Sequence, residues 1–329
     1  MRLSSVIFIA IAVLVFLFSS GCYRSSVRHA LDQAVRGVDT EPKIIADYQP
    51  WFGDHQHINI GYSTQDPVVL RKQVQRAREL GIYAFAVDWY GERHPFLDGS
   101  YALLQKVAGE NHFHVALMYD ETEEDNGHAT EDALAAMFHA YRNYIGPDAP
   151  HREAYLTFEN RPVIFIFPKR GHTDWSQVRA QVNGWDKPPL FIYKDQPPAQ
   201  YEHAFDGVYA WVHPGPHGWA SNGSEWGEQY LQDFYKKMPA KYPGKIIVGG
   251  AWPGFDDRKA SWSLNRHMDR RCGETFEDTL RLFQQNNNPE KPMPFLMIAT
   301  WNDYEEGTQI EDGVAHCGDQ TAYAAPPPK

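Results

Sequence analysis

The sequence predicts a single (β/α)8 barrel, and three observations support this prediction. Short, nearly continuous apolar segments recur eight times along the chain, which is typical of strands buried on both faces. Segments with helical spacing lie between most of them, and this alternation predicts a parallel sheet with outer helices. The pattern occupies residues 44–311, close to the roughly 250 residues that such barrels take.

The elements follow one another in a regular order. The predicted strands are residues 44–46, 83–87, 115–118, 163–167, 190–193, 207–211, 246–248 and 295–299. The predicted helices are residues 67–80, 101–107, 131–144, 175–182, 225–238 and 275–285. The first helix is the clearest, because Leu70, Val74 and Ala77 recur at helical spacing and Gly81 can end it. The segment around Pro197 is the weakest.

Only a short tail follows the last strand, so the eighth helix is expected to be missing or reduced. A weak helical pattern at residues 29–38 is a candidate to cover that gap. A doubly wound open sheet is the alternative fold. No glycine-rich phosphate loop follows the first strand, and a dinucleotide-binding fold therefore has no support from the sequence.

The N-terminus predicts export. Residues 6–18 form an apolar run after Arg2, too short for a membrane-spanning helix and of the right length for a signal-peptide core. Small residues before Cys22 resemble the bacterial lipobox, although Ser19 stands where Leu is usual. We therefore expect a membrane-anchored lipoprotein held in the bilayer through a lipidated Cys22. A plainly cleaved signal and a retained anchor are the alternatives, and each of the three implies export.

These observations divide the chain into four parts. We expect a signal peptide at residues 1–21, a lipid-anchored tether at 22–43, the barrel at 44–311 and a short tail at 312–329.

Composition narrows the class of ligand. The net charge is -11 and no run of Lys and Arg interrupts the acidic balance, which disfavours nucleic acid as a partner. The chain contains 10 Trp, 18 Tyr and 18 Phe, many of them beside Gly, Pro, Asp or His. Rings placed in this way are typical of a wet binding surface, and the flat C–H faces of sugars suit them.

Two cysteines follow Cys22. Cys272 and Cys317 are either paired, as an exported protein allows, or two free thiols. They form no zinc motif. The acidic run at residues 120–125 does not match a calcium-binding loop. We expect no metal and no cofactor.

The residues after each predicted strand carry the candidate site, because barrel chemistry lies where the strands end. Nearly every such position combines a ring with a carboxylate or another polar group. The candidates for substrate contact are Tyr48, Trp51, Asp88, Trp89, Tyr209, Trp252, Asp256 and Trp301.

Paired carboxylates after the last strand predict glycoside hydrolysis. That reaction needs one acid at the leaving oxygen and a second carboxylate at the sugar, and Asp303 and Glu306 lie three residues apart before Gly307. Glu305 and Glu311 compete for the same roles, and a solvated acidic loop is the plain alternative.

At this point the sequence resembles a known family. Residues 301–311 (WNDYEEGTQIE) resemble the last-strand signature W-N-E-W-H-E-G-T-Q-I-E of glycoside hydrolase family 99, the endo-α-mannosidases. Residues 48–53 (YQPWFG) are similar to its Y-x-x-W-Y-G, and residues 205–209 (FDGVY) to its sixth-strand segment. Residues 253–258 (PGFDDR), with Arg266, are similar to its P-G-Y-x-D-x-R stretch. The related family 71 shares the layout, so the assignment is to a family 71/99-like group.

The resemblance implies a retaining, endo-acting α-glycosidase without a metal. In family 99 one carboxylate deprotonates the substrate's 2-hydroxyl, a 1,2-anhydro sugar forms, and another carboxylate acts as acid and then base. Asp303 matches the first position and Glu306 the second, while Tyr48 and Tyr209 match tyrosines near the reacting sugar. Asp303 stands where the family has Glu, and Tyr304 and Glu305 replace Trp and His. The retracted carboxylate indicates either a rebuilt pocket or weakened activity.

The sequence therefore predicts an exported hydrolase of a neutral α-linked mannan or related glycan. Two alternatives remain open, a non-catalytic glycan-binding lipoprotein and a glycosyltransferase. Export disfavours the transferase, because nucleotide-sugar donors are cytoplasmic.

Overall fold

Eight parallel strands close into a barrel in the computed structural model, which describes residues 27–36, 41–121, 127–169 and 172–315. Each strand pairs with its neighbours in chain order, and the last strand pairs with the first. The strands are β1 Lys43–Tyr48, β2 Ala84–Trp89, β3 His114–Asp120, β4 Arg161–Phe167, β5 Leu190–Lys194, β6 Gly207–Tyr209, β7 Ile246–Ala251 and β8 Phe295–Ile298. The predicted barrel and all eight of its strands are confirmed.

Helices surround the barrel. They are α1 (residues 27–35), α2 Pro67–Glu79, α3 Pro95–Glu110, α4 Ala129–Ala140, α5 Trp175–Val182, α6 Glu228–Lys241 and α7 Glu274–Asn286. Two of them begin at an aspartate cap. Asp66 accepts a hydrogen bond from the backbone N–H of Val68 before α2, and Asp174 does the same for Ser176 before α5. These caps satisfy N–H groups that have no partner within the helix. The segment around Pro197 leads only into a 3₁₀ turn, Ala199–Ala204.

Helix α1 occupies the place that an eighth helix would take. It buries Val27, Leu31 and Ala34 against the common core. The Arg28 guanidinium donates to the carbonyl of Glu79 at the end of α2, and the Gln284 amide of α7 donates to the carbonyl of Gln33. Within the described residues no helix follows β8, and α1 covers the barrel between α7 and α2. The segment 22–43, expected as a tether, thus includes a packed helix.

Close packing between layers requires small residues on some strands. At Gly249 in β7, an added Cβ would lie 2.2 Å from Cδ2 of Phe283 in α7. Phe283 is fully buried, and burying such a side chain contributes roughly 1.5–3 kcal/mol. Glycine at this position therefore lets α7 approach the sheet.

Several predictions concern residues outside the described ranges. The signal segment, Cys22 and Cys317 lie outside the described residues. Cys272 is disulfide-bonded, and its partner also lies outside them. Among the helices described, none is long and apolar enough to cross a membrane.

Candidate active site

Three aspartates lie at the last or second-last position of the first three strands. This places them at the barrel mouth, the end of the barrel where the strand carboxyl termini meet. Side chains alternate between the two faces of a strand, and Asp47, Asp88 and Asp120 point to the inner face. Gln49 donates to Oδ2 of Asp47 at 2.6 Å, and the Lys169 ammonium lies 3.1 Å from Oδ2 of Asp120. The Oδ1 atom of each of the three aspartates is buried without a hydrogen-bond partner among the described residues.

The loop after β8 brings Asp303 to the same place. Oδ1 of Asp303 accepts hydrogen bonds from the backbone N–H groups of Glu305 at 2.9 Å and Glu306 at 2.8 Å. Its own N–H donates to Oγ1 of Thr300. These bonds fix a tight turn in which Asp303 is buried.

Glu306 follows in the same turn and is more exposed. The side chain of Glu306 is 21% exposed, whereas Asp303 as a whole residue is 2% exposed. Oε1 of Glu306 accepts a hydrogen bond from Nε1 of Trp262 at 3.1 Å, and a guanidinium nitrogen of Arg266 lies 3.9 Å away. Gly307 then turns the chain with φ of +63°, where an added Cβ would lie 3.3 Å from the backbone of Asp256.

The five carboxylates form one electrostatic unit, which we call the acidic cluster: Asp47, Asp88, Asp120, Asp303 and Glu306. Burial raises the pKa of every member. The charge of Asp88 raises the pKa of Asp47 further, that of Asp120 raises the pKa of Asp88, and that of Glu306 raises the pKa of Asp303. The pKa of Asp120 rises to about 6, because burial outweighs the Lys169 charge that lowers it. These groups can hold protons at pH values where ordinary carboxyls are ionised.

The two competing glutamates of the β8 loop face away from the cluster. Glu305 is buried and accepts from Nδ1 of His57 at 2.8 Å and from the N–H of Ile58. Glu311 accepts from Nε2 of Gln73 at 2.7 Å and from the Tyr62 hydroxyl at 2.8 Å. Their oxygens hold neighbouring segments together. Asp303 and Glu306 are therefore the pair of this loop whose charges act on the strand aspartates of the cluster.

The structure brings three further predicted residues to the cluster or beside it. Asp88 belongs to it, and the Tyr209 hydroxyl lies deeper in the barrel, 3.3 Å from the carbonyl of Ile166. Burial, followed by the charge of Asp47, raises the pKa of Tyr209. Trp51 lies beside Trp262, which contacts Glu306.

Five predicted contacts lie apart from the cluster. Tyr48 and Trp89 each follow an inward aspartate by one residue, so they face the outer helices. The Tyr48 hydroxyl donates to Gln73 in α2, and Nε1 of Trp89 donates to Asp98 in α3. The other three are also occupied elsewhere: Trp252 donates to the carbonyl of Trp226, Trp301 packs against Phe85, and the Asp256 carboxylate pairs with Arg258.

The sequence reasoning missed four residues that belong to the site. Tyr90 lies two positions after Asp88 on the inner face, and the period of two was the available signal. Burial, followed by the charge of Asp88, raises its pKa. Lys194 faces inward beside Asp120, with its ammonium 3.4 Å from the Phe167 ring centroid, and burial lowers its pKa to about 8. Lys169 and Trp262 lie on loops, and neither had a signal in the sequence.

The described residues contain no group of three or more His, Cys, Asp and Glu arranged to hold a metal ion. Of the acidic run at 120–125, Glu123, Glu124 and Asp125 fall outside the described ranges. Burial raises the pKa of Glu121, which accepts from Nε1 of Trp175. The polar groups present are those that bind hydroxyl-rich ligands, namely carboxylates that accept hydrogen bonds and ammonium groups and phenols that donate them.

Comparison with known proteins finds relatives of similar sequence. Glycoprotein endo-alpha-1,2-mannosidase of Mus musculus is 21% identical over 281 residues, which cover 80% of this chain and 57% of the relative. The endo-alpha-1,2-mannosidase-like protein of Homo sapiens is 23% identical over 304 residues, with 83% and 62% covered. The chain thus spans less than two thirds of the length of these relatives.

A solved structure shares the fold. The GH99 endo-alpha-mannosidase from Bacteroides thetaiotaomicron superposes with a TM-score of 0.60 at 18% identity, covering 84% of this chain and 88% of that one. The family model described as Glycosyl hydrolase family 99 matches residues 33–326, nearly the whole chain. The chain therefore belongs to glycosyl hydrolase family 99.

Proposed function

We propose that this protein is an exported, retaining, endo-acting α-glycoside hydrolase of a neutral α-linked mannan or related glycan. The observation that carries the proposal is the pair at the barrel mouth. Glu306 and Asp303 lie in one turn and the charge of Glu306 acts on Asp303, yet they differ in exposure and in hydrogen bonding. Two carboxyls in different environments are what acid and base roles require.

The resemblance to the family implies the reaction, and the two carboxyls would supply its base and its acid. Asp303 takes the proton of the sugar's 2-hydroxyl through Oδ2, and that oxygen forms a bond to C1 as the glycosidic bond breaks. Glu306 gives its proton to the leaving oxygen. Water then attacks C1 and the bond between C1 and the oxygen at C2 breaks, Glu306 takes the water proton, and the oxygen at C2 recovers its proton from Asp303. Each carboxyl ends as it began, and two displacements at C1 retain its configuration.

The rest of the cluster suits a neutral sugar. The unpartnered Oδ1 atoms of Asp47, Asp88 and Asp120 can each accept a hydrogen bond from a hydroxyl, and a buried polar atom without a partner costs roughly 1–3 kcal/mol. A bound sugar would supply those donors. The five carboxylates would repel an anionic glycan, and the two positive charges of Lys169 and Lys194 would offset this repulsion in part. Binding of an anionic glycan is therefore disfavoured.

Export and anchoring rest on different observations. The apolar run at residues 6–18 and the lipobox-like residues before Cys22 support a lipid-anchored protein on the outer side of a bacterial membrane. The disulfide at Cys272 suits an oxidising compartment. Membrane fractionation of the Cys22→Ser variant tests this part, and equal membrane association of variant and wild type would contradict it.

The activity is tested by incubating the full chain with α-linked mannans and α-glucans. We expect oligosaccharide products from internal cleavage of a mannan, with the α-anomer formed first by NMR. Products with an inverted anomer, or hydrolysis confined to α-glucans, would overturn the proposal.

One observation favours a second candidate, a non-catalytic glycan-binding lipoprotein. The Asp303 side chain is one methylene shorter than the family's Glu, and backbone N–H groups already hold its Oδ1. A misplacement of about 1 Å can cost about 100-fold in rate. Measurable mannan affinity without product, in both the wild type and the Asp303→Glu variant, would establish this function instead.

A further inference from the structure

The residue beside the acid Glu306 is Trp262, at the far end of a hairpin. Strands Phe255–Asp256 and His267–Met268 pair in an antiparallel fashion, and residues 257–266 join them. Asp257 holds the two ends of this loop together through hydrogen bonds. It is fully buried and accepts hydrogen bonds from the N–H groups of Leu264 and Arg266 and from Nε of Arg266 at 2.6 Å. The loop is thus held in one shape with Trp262 at its outer end.

Aromatic rings support Trp262 from the opposite side. The His57 ring stacks on Trp51, with centroids 4.6 Å apart and an angle of 8° between planes. Trp262 meets both rings edge-on, at 6.1 Å from Trp51 and 5.9 Å from His57. Glu305 holds His57 in place from below. Edge-to-face and stacked pairs of this kind add to the stability of a cluster.

The indole N–H of Trp262 makes a hydrogen bond, whereas part of the residue is exposed to solvent. Its Nε1 donates to Oε1 of Glu306 at 3.1 Å, which leaves Oε2 of Glu306 to carry the transferable proton. Trp262 remains 38% exposed despite its contacts with the stacked rings of Trp51 and His57. This exposed residue is hydrogen-bonded to the carboxyl that delivers a proton to the leaving oxygen in the proposed reaction.

From this arrangement we infer that Trp262 forms the subsite of the leaving-group sugar and orients Glu306 toward its oxygen. The inference rests on the proposed hydrolase function and adds a residue and a ligand to it. The ligand is a neutral pyranose, whose C–H face packs on the indole. Trp262 is a substrate contact through its ring and a positioning residue through its N–H.

Two variants separate these roles. Trp262→Phe keeps a ring and loses the N–H, while Trp262→Ala loses both. Leu264→Ala is the matched control, because Leu264 lies in the same loop with 73% exposure. The substrates are α-mannotriose, with a sugar leaving group, and 4-nitrophenyl α-mannobioside, whose leaving group departs without protonation.

We expect Trp262→Phe to lower kcat/KM about tenfold or more for mannotriose and less than threefold for the aryl glycoside, because a misdirected acid matters only when the leaving oxygen needs its proton. Trp262→Ala should in addition raise KM for mannotriose about fivefold. Leu264→Ala should match the wild type on both substrates.

Equal losses on the two substrates, or no difference from Leu264→Ala, would overturn the inference. A wild-type protein that binds mannotriose and cleaves neither substrate would overturn the hydrolase function alone. Affinity measured by calorimetry then decides the subsite. A fivefold loss in Trp262→Ala supports it, and affinity equal to that of Leu264→Ala refutes it.

Discussion

The loop after β8 carries four carboxylates within nine residues. Two lie on its outer side and two on its inner side, and the two pairs differ in their neighbours. On the outer side, Glu305 and Glu311 each accept hydrogen bonds from two or more donors and hold the chain segments that supply them. On the inner side, Asp303 and Glu306 face other carboxylates, and burial raises the pKa of both. Burial raises the pKa of Glu311 as well, so the surroundings separate the two sides. The outer carboxylates are filled by hydrogen-bond donors and are structural, whereas the inner ones combine raised pKa values with neighbouring carboxylates and are equipped for proton transfer.

The largest contrast is expected between the adjacent glutamates. Glu306→Gln removes the proton donor, and general acid catalysis contributes about 10²–10⁴-fold. We expect kcat/KM for a mannan oligosaccharide to fall about 1000-fold, with an unchanged thermal midpoint. Glu305→Gln should remain within about fivefold of the wild type, because its side chain faces His57. A similar loss of kcat/KM in both variants would contradict the distinction between a catalytic inner side and a structural outer side of the loop.

The second contrast concerns Asp303. In Asp303→Asn the side-chain oxygen can still accept from the N–H groups of Glu305 and Glu306, so the turn should persist while the charge is lost. We expect about a 100-fold lower kcat/KM and unchanged circular dichroism. Full activity in this variant would assign the proton at the 2-hydroxyl to another carboxylate.

The third prediction concerns Asp120, which belongs to the acidic cluster on the inner side. Its buried carboxyl should lower the free energy of unfolding as the pH rises. The folded-state pKa of Asp120 is about 6 against an ordinary 3.8, so the unfolded chain releases this proton first. The stability that the protonated Asp120 carboxyl contributes is therefore fully present below about pH 4 and is lost as the pH rises to about 6. Asp120→Asn has no such proton. We expect its unfolding free energy, relative to wild type, to rise by up to about 3 kcal/mol across this window.

Urea unfolding at closely spaced pH values measures that difference. A difference that stays constant from pH 4 to pH 6 would show that Asp120 titrates normally.

The smallest effect is expected on the outer side. Glu311→Ala leaves the buried donors of Gln73 and Tyr62 without an acceptor, which costs about 1–3 kcal/mol of unfolding free energy. Glu131→Ala is the control, because its side chain is 72% exposed and should change stability by less than about 0.5 kcal/mol. Equal midpoints for the two variants in urea unfolding would contradict a structural role for Glu311.

The barrel and the closeness of Asp303 and Glu306 could be predicted from the sequence, but the positions of most of the aromatic side chains could not. Asp47 and Tyr48 are neighbours in one strand, so they must face opposite sides. The strand is buried on both faces, and its apolar residues therefore do not reveal which side is inner. The same ambiguity applies to Asp88 and Trp89. The tyrosine and tryptophan lie against helices, while the aspartates line the pocket.

The sequence by itself determined the order of strands and helices, the family and the loop that carries Asp303 and Glu306, because these depend on local periodicity and on a contiguous motif. Only the tertiary structure decided which carboxylates share a pocket, since Asp47, Asp88 and Asp120 meet the β8 pair through barrel closure. It also decided that Trp262 reaches Glu306, across 44 positions of the chain. Contacts between distant segments depend on packing, and no periodicity within either segment encodes them.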